Sequence, residues 1–258
     1  MNWTGLAALA WDPSGGDETQ WDFDFIKAVV EQGNGPALDV GCGTGRLLIR
    51  YMQAGLDVDG VDTSADMLEL CREKAAKVGL QPNLYQQGMQ ALDLPRQYQT
   101  IFVPCGSFCL VIDRAEAQET LRRFHAHLLP GGTLLFNLFW QFGYGEPLSD
   151  QPPVPIGEWR PLHQQTLPDG RRMEQTLRRD SVDRWNQVMY ASRRYQLFDG
   201  DALVAEEIFP ANERWYFQYE LLAMLQEAGF HSIQIKGDYT DAHFHDGKHS
   251  TMVILAQK

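Results

Sequence analysis

The chain has 258 residues, a formal net charge of −12 and a pI near 5.0. That balance repels polyanions, so nucleic acid is not an expected partner. The length suffices to bury a core without staples, and 44% hydrophobic and 22% charged residues are ordinary for a globular chain. Cys42, Cys71, Cys105 and Cys109 form no Cys-x-x-Cys pair, which points to a reducing, cytoplasmic setting. No apolar run is long enough to span a membrane, and residues 1–10 lack the basic and apolar segments of an export signal.

Residues 1–20 mix tryptophans with Asp-Pro and Gly-Gly and read as turns. Within them Trp11 either packs over the core edge or closes over a bound ligand. Residues 18–32 read as a helix with Phe23, Phe25, Ile26, Val29 and Val30 on one face, ended by Gly33 and Gly35-Pro36. Ala37 to Val40 then reads as a buried strand. Gly41, Gly43 and Gly45 follow at alternate positions, and Leu47 to Met52 looks helical. Strand, glycine turn and helix together form a ligand cradle. Its backbone lies bare, and its helix points free N–H groups outward. The spacing G-x-G-x-G differs from the dinucleotide pattern G-x-G-x-x-G, and no Lys-Ser or Lys-Thr follows to make a phosphate loop. Asp39 at the strand end would repel a pyrophosphate, but it suits a cationic amine or sulfonium.

Asp39, Gly41, Gly43 and Gly45 resemble motif I, (D/E)-x-G-x-G-x-G, of the class I S-adenosylmethionine (SAM) dependent methyltransferases of the small-molecule, methyltransferase-domain 25-like type. The resemblance implies a Rossmann-like α/β fold. Its sheet would have seven mostly parallel strands, helices on both faces and an antiparallel final pair. It also implies SAM as cofactor, its methionine end held around Asp39, Gly41, Cys42, Gly43, Gly45 and Arg46.

Further along, Leu56 to Val61 reads as the second strand and ends in Asp62, about twenty residues past the turn, where an acid takes ribose hydroxyls in nucleoside-binding folds. Thr63 or Ser64 can cap the next helix. In the resembling family the residue at Met67 packs on adenine. Asn83 to Gln87 is a short strand. Gly88-Met89 then departs from the family's usual Asp-Met, leaving Gln87 or the backbone to meet the adenine. Gln99 to Cys105 is the fourth strand, and Cys105 is expected to line the cofactor. A helix over Glu116 to Leu129, a Pro130-Gly131-Gly132 turn and a strand from Thr133 to Phe139 follow.

After residue 143 the pattern changes. A Pro- and Gly-rich stretch leads into alternating strands over 171–183, 186–197 and 202–209. Residues 144–210 therefore read as an antiparallel β insertion that roofs the substrate side of a core formed by 1–143 and 211–258. Trp140, Tyr144, Trp159 and Tyr219 are candidate acceptor-binding aromatics, whereas Trp185, near a turn, is expected in the core of the small sheet. Phe217 to Ala228 returns to helix. Phe230 to Ile235 and Thr251 to Ala256 close the sheet, with His243 and His245 between them as candidate proton acceptors. The spacing His243-x-His245-x-x-x-His249 could ligate a metal, but such loops are usually polar surface, and no metal is expected.

These features imply methyl transfer from SAM to an N or O nucleophile of a small molecule, by a monomer or homodimer. Two alternatives stay open. One is a protein that binds SAM or a nucleoside without turnover, which Gly88 favours. The other is an NAD-dependent oxidoreductase, which Asp62 favours and the glycine spacing opposes.

Overall fold

The computed structural model describes residues 3–14, 22–139, 155–244 and 248–258. A first helix, α1 (Gly5–Ser14), precedes α2 (Phe23–Gly33). The chain then alternates through β1 (Ala37–Val40), α3 (Leu48–Gln53), β2 (Val58–Asp62), α4 (Ala65–Lys77) and β3 (Leu84–Gln86). Next come β4 (Tyr98–Val103), α5 (Arg114–His127) and β5 (Leu128–Phe139). A second set of strands follows: β6 (Trp159–Thr166), β7 (Arg172–Asp183), β8 (Val188–Asp199), β9 (Ala202–Pro210) and β10 (Glu213–Arg214). The chain closes with α6 (Gln218–Glu227), β11 (His231–Gly237) and β12 (Thr251–Gln257).

The first sheet has the order β11-β12-β5-β4-β1-β2-β3. Its pairs from β5 to β3 are parallel, and β12 and β11 are antiparallel. The chain leaves β1 in one direction for β2 and β3, then returns to lay β4 on the opposite side. At that reversal the carboxyl ends of neighbouring strands diverge and open a crevice. The alternation of side chains along each strand builds two cores. Leu38, Val40, Ile101, Val103 and Phe136 face Leu121, Phe124, Leu221 and Leu225 of α5 and α6. On the other face Ala37, Phe102, Leu135 and Val253 meet Ile26, Leu48, Tyr51 and Leu68 from α2, α3 and α4. Asp39 shares the register of Ala37 and lies in the buried interior of β1.

The second sheet is antiparallel, ordered β10-β8-β7-β6, with β9 also paired to β8. Here the expectation of turns over residues 1–20 fails for the described part, residues 15–20 lying outside it. Residues 5–14 form α1, and its Leu6, Ala7 and Ala10 pack on Leu167, Met173, Tyr195 and Leu197 of this sheet. The mixed composition hid a helix whose apolar face had no partner nearby in sequence. β10 also belongs to this sheet, so its strands continue past residue 210. The Pro130-Gly131-Gly132 turn is drawn into the start of β5, where the register with β4 shifts between Tyr98 and Thr100. Trp185, expected in the core of the small sheet, is 92% exposed at the tip joining β7 to β8. Among the described residues no helix is long and apolar enough to cross a membrane.

One buried polar knot ties β4 to β2. Tyr98 is fully buried and its hydroxyl donates to Asp59 Oδ2 at 3.0 Å, while Asn83 donates to Asp59 Oδ1 at 3.0 Å. Tyr98→Phe removes a hydrogen bond to a buried carboxylate and is expected to cost about 2 kcal/mol. Urea unfolding reads this directly, and an unchanged midpoint with an unchanged slope would show that the bond contributes nothing.

Candidate functional site

A cavity of about 560 Å³ opens at the carboxyl ends of β1, β2 and β4. Its floor is the glycine turn. Gly41 and Gly43 have φ of +73° and +53°, a region that side chains disfavour. A Cβ on Gly41 would sit 3.1 Å from Ser107 Oγ, and one on Gly43 would sit 3.5 Å from the indole nitrogen of Trp11. Gly45 serves packing instead. Expected to hold the cofactor, it does not line the cavity, and a Cβ there would come within 2.7 Å of Cys71 Sγ and 2.8 Å of Ile49 Cδ1. It lets the turn pack closely on α3 and α4.

Asp62 locks this floor to the neighbouring strand. Its Oδ2 accepts from Gly43 N at 2.9 Å and its Oδ1 from Ser64 N at 2.8 Å. Each oxygen retains capacity for another donor in the cavity. Burial pushes the carboxyl up, and bonds from the Ser64, Gly43 and Thr63 backbone pull it back. Ser64 in turn caps α4, accepting from Met67 N at 3.2 Å, and donates to the Trp3 carbonyl. That arrangement fixes Met67, 2% exposed, in the wall.

Asp39 is the electrostatic centre. It is 1% exposed, and its Oδ1 has no hydrogen-bond partner. Burial pushes its carboxyl up to about 8; Arg46 opposes this, and Asp62 and Asp22 add to it. Arg46 also lines the cavity, but its guanidinium grips Asp22 at 2.8 and 2.5 Å and approaches Cys105 Sγ at 3.4 Å. Asp22 is fully buried and was not foreseen, because nothing local in sequence marks an acid 24 positions away as the partner of this arginine.

The remaining wall holds Cys42, Thr63, Gln87 and Met89 as expected, together with Gln90. The Gln87 amide is turned onto the backbone of Asp93, accepting from its N–H at 2.8 Å and donating to its carbonyl at 3.1 Å. Gly88 is not in the wall; a Cβ on it would meet Gln90 Oε1 at 2.7 Å, so Gln90 takes the space beside it. Cys105, with φ of +57°, also lines the cavity; burial raises its thiol and Arg46 opposes the shift. The thiol is held in its neutral form, which disfavours a nucleophile there.

On the opposite wall Trp11 lines the cavity, the second of the two places offered for it, while Trp3, Arg193 and Glu213 were not foreseen. Trp3 and Trp11 stand together, ring centroids 4.8 Å apart, and Arg193 of β8 and Glu213 of β10 enter from the second sheet. The only prior signal for these two was the insertion itself, since spacing does not reveal which strand residues face a distant cavity.

Several expected residues lie elsewhere. His243 is exposed, bridges to Lys236, places Nδ1 2.9 Å from the Phe244 carbonyl oxygen and does not line the cavity. Trp159 is sandwiched by the guanidinium groups of Arg178 and Arg194, at 4.7 and 4.6 Å, away from the cavity wall. Tyr219 is 83% exposed in the first turn of α6. His245, Trp140 and Tyr144 lie outside the described residues. Among the described residues no group of three His, Cys, Asp or Glu side chains is placed to hold a metal ion.

The strand order, the switch-point cavity and the separate antiparallel sheet define the fold of class I SAM-dependent methyltransferases. The crystal structure of such an enzyme from Clostridium acetobutylicum ATCC 824 superposes with a TM-score of 0.76 at 18% identity, covering 97% of this chain and 96% of that one. Residues 37–132 match the family model described as a methyltransferase domain. A protein of Geobacillus sp. (strain WCH70) named as a methyltransferase is 33% identical over 113 residues, 44% of this chain and 46% of its own length. The dTDP-3-amino-3,6-dideoxy-α-D-glucopyranose N,N-dimethyltransferase of Streptomyces fradiae is 31% identical over 103 residues, 40% of this chain and 39% of its own. The chain thus spans about half the length of the curated relatives it matches first.

Because folding lifts the Asp39 carboxyl from 3.8 to about 8, the folded state binds this proton more tightly than the unfolded chain. The stability that this contributes is present below the unfolded value and is lost as pH rises through about 8. Asp39→Asn, which mimics the protonated form, is expected to match the parent melting temperature in acid and to exceed it in alkali. Parallel melting curves across the pH range would remove Asp39 as the strained charge.

Proposed function

We propose that the protein transfers a methyl group from SAM to a nitrogen or oxygen of a small molecule. The observation that carries this reading is the pair Asp39 and Asp62 around a bare glycine turn: one a buried carboxylate with an unpartnered oxygen, the other pinned by backbone N–H groups with acceptor capacity to spare. This donor and acceptor set fits SAM. Asp39 would take the ammonium of the methionine end, and Asp62 the ribose hydroxyls. Met67, Met89 and Gln90 would line the adenine. The G-x-G-x-G spacing, where a dinucleotide turn reads G-x-G-x-x-G, counts against NAD.

When bound, SAM supplies an electrophilic methyl group on a sulfonium. The chain's own part is to position and to exclude water. Trp3 and Trp11 stand over one side of the cavity and the second sheet over another, and Gly41 and Gly43 allow close backbone approach. A small acceptor rather than nucleic acid is supported by the net charge of −12 and by the small-molecule substrates in the relatives' names. Four free thiols support a cytoplasmic site of action.

Asp62→Ala is expected to weaken SAM binding by about 1.5–3 kcal/mol, the scale of lost hydrogen bonds to a charged group, while NAD binds neither form. Calorimetry decides it, and an unchanged affinity would place Asp62 outside the site. At pH 7 wild-type binding is also expected to release a proton, because a docked ammonium favours ionised Asp39. Titrations in buffers of different ionisation enthalpy read that release, and none would indicate that Asp39 does not face the cation.

A further inference from the structure

The cavity wall opposite the glycine turn holds two charged side chains that the methyl-donor reading does not use. Glu213 lies on β10, paired to Met189 of β8. Its neighbour Arg214 points the other way, to Glu220 at 2.9 Å, as strand alternation requires. Glu213 is thereby directed into the cavity, where its buried Oε2 has no hydrogen-bond partner. Arg193, from β8, lies 5.5 Å from the Trp3 ring centroid, and its buried Nε also has no partner. The two sense each other, since Arg193 opposes the upward push of burial on the Glu213 carboxyl, yet no ion pair joins them. Buried polar atoms without a partner cost free energy, and a ligand reaching both Glu213 Oε2 and Arg193 Nε would relieve that cost. The other ionisable groups near Glu213 do not satisfy it: Cys109 is a buried thiol held neutral, and Glu116 is an exposed acid at the rim.

We infer that Glu213 and Arg193 form the acceptor subsite, Glu213 taking an amine and Arg193 an oxyanion carried by the same small molecule. The inference rests on the methyltransferase reading and narrows its acceptor to an amine that bears a carboxylate or phosphate. Asp39 and Asp62, on the large sheet, serve the cofactor, and Glu213 and Arg193, on the small sheet, serve the acceptor. The Glu213 carboxylate orients the amine and takes, at Oε2, the proton that the amine must shed to become a nucleophile. Arg193 offers a planar fork to the oxyanion, with Trp3 behind it.

The test uses the protein saturated with S-adenosylhomocysteine, titrated calorimetrically with glycine, β-alanine and γ-aminobutyrate. These carry the same two charges at increasing separation. At least one is expected to bind with a Kd below about 1 mM, and E213Q and R193Q each to weaken it about tenfold or more. Both variants should melt no lower than the parent and keep its S-adenosylhomocysteine affinity, which shows that they fold. Binding of none of the three to the saturated parent, or an affinity unmoved by either variant, overturns the inference and leaves the methyltransferase reading standing. A crystal of the complex soaked with the tightest of the three should show its nitrogen on Glu213 and its carboxylate on Arg193. Its seating on Asp39 would overturn the subsite. Failure of S-adenosylhomocysteine itself to bind overturns the underlying reading, and the subsite falls with it.

Discussion

The carboxylate of Asp62 is the interaction on which the site depends. It sits at the end of β2 and takes the N–H of Gly43 across the strand gap and the N–H of Ser64 at the start of α4. A glycine turn is entropically free, and each residue in it must be held by something outside it. Asp62 supplies that hold and stays buried while doing so. It acts with the Val61 carbonyl, which accepts from Gly41 N at 2.8 Å and Cys42 N at 3.1 Å, while the β1 ladders to β2 and β4 hold Asp39 beside the turn. Gly45 does the complementary job on the far side by letting α3 and α4 close in.

Around that anchor the chain places more acid than it neutralises. Asp22 takes the Arg46 fork in a buried bidentate pair, so that Asp39 and Asp62 face the cavity with Arg46 acting on Asp39 only through its field. In a low-dielectric cavity such an imbalance is costly, and a cationic ligand relieves it. The same logic explains why Arg46, which lines the cavity, is poorly placed to serve as an anion receptor: its fork is already filled by Asp22.

The large sheet was legible because its signals are local. Apolar runs ending in Asp39 and Asp62, glycines at alternate positions and the Ser64 cap each lie within a few residues of what they specify. The wall residues Gly41, Gly43 and Cys105 follow from strand ends, and Met67 from the family resemblance. What sequence reading lost is what long-range packing decides. α1 is a helix because Leu6, Ala7 and Ala10 find the second sheet, some 160 or more residues away in the chain. Asp22 bears on the cavity only through Arg46, and Glu213 reaches it from a two-residue strand too short to show periodicity. Three of the histidine and aromatic candidates fall outside the cavity lining for the opposite reason. His243, Trp159 and Tyr219 have suggestive chemistry, but their strand, bridge and helix positions turn them away from the cavity.

The cavity is therefore a joint construction, and α1 is the joint. Its first backbone N–H groups, which have no partner within the helix, are taken by acids from both bodies: Gly5 N by Asp66 of α4 at 2.9 Å, and Leu6 N by Glu207 of β9 at 2.8 Å. Farther along, Gln165 of β6 donates to the Ala10 carbonyl at 2.7 Å. The same segment carries Trp3 and Trp11 into the wall, one beside Arg193 and the other beside Gly43. A displacement of α1 would thus move the cofactor floor and the acceptor wall apart together. Because the insertion's strands and the glycine turn meet through this helix, the small sheet acts as a wall of the site and not as an appendage to it.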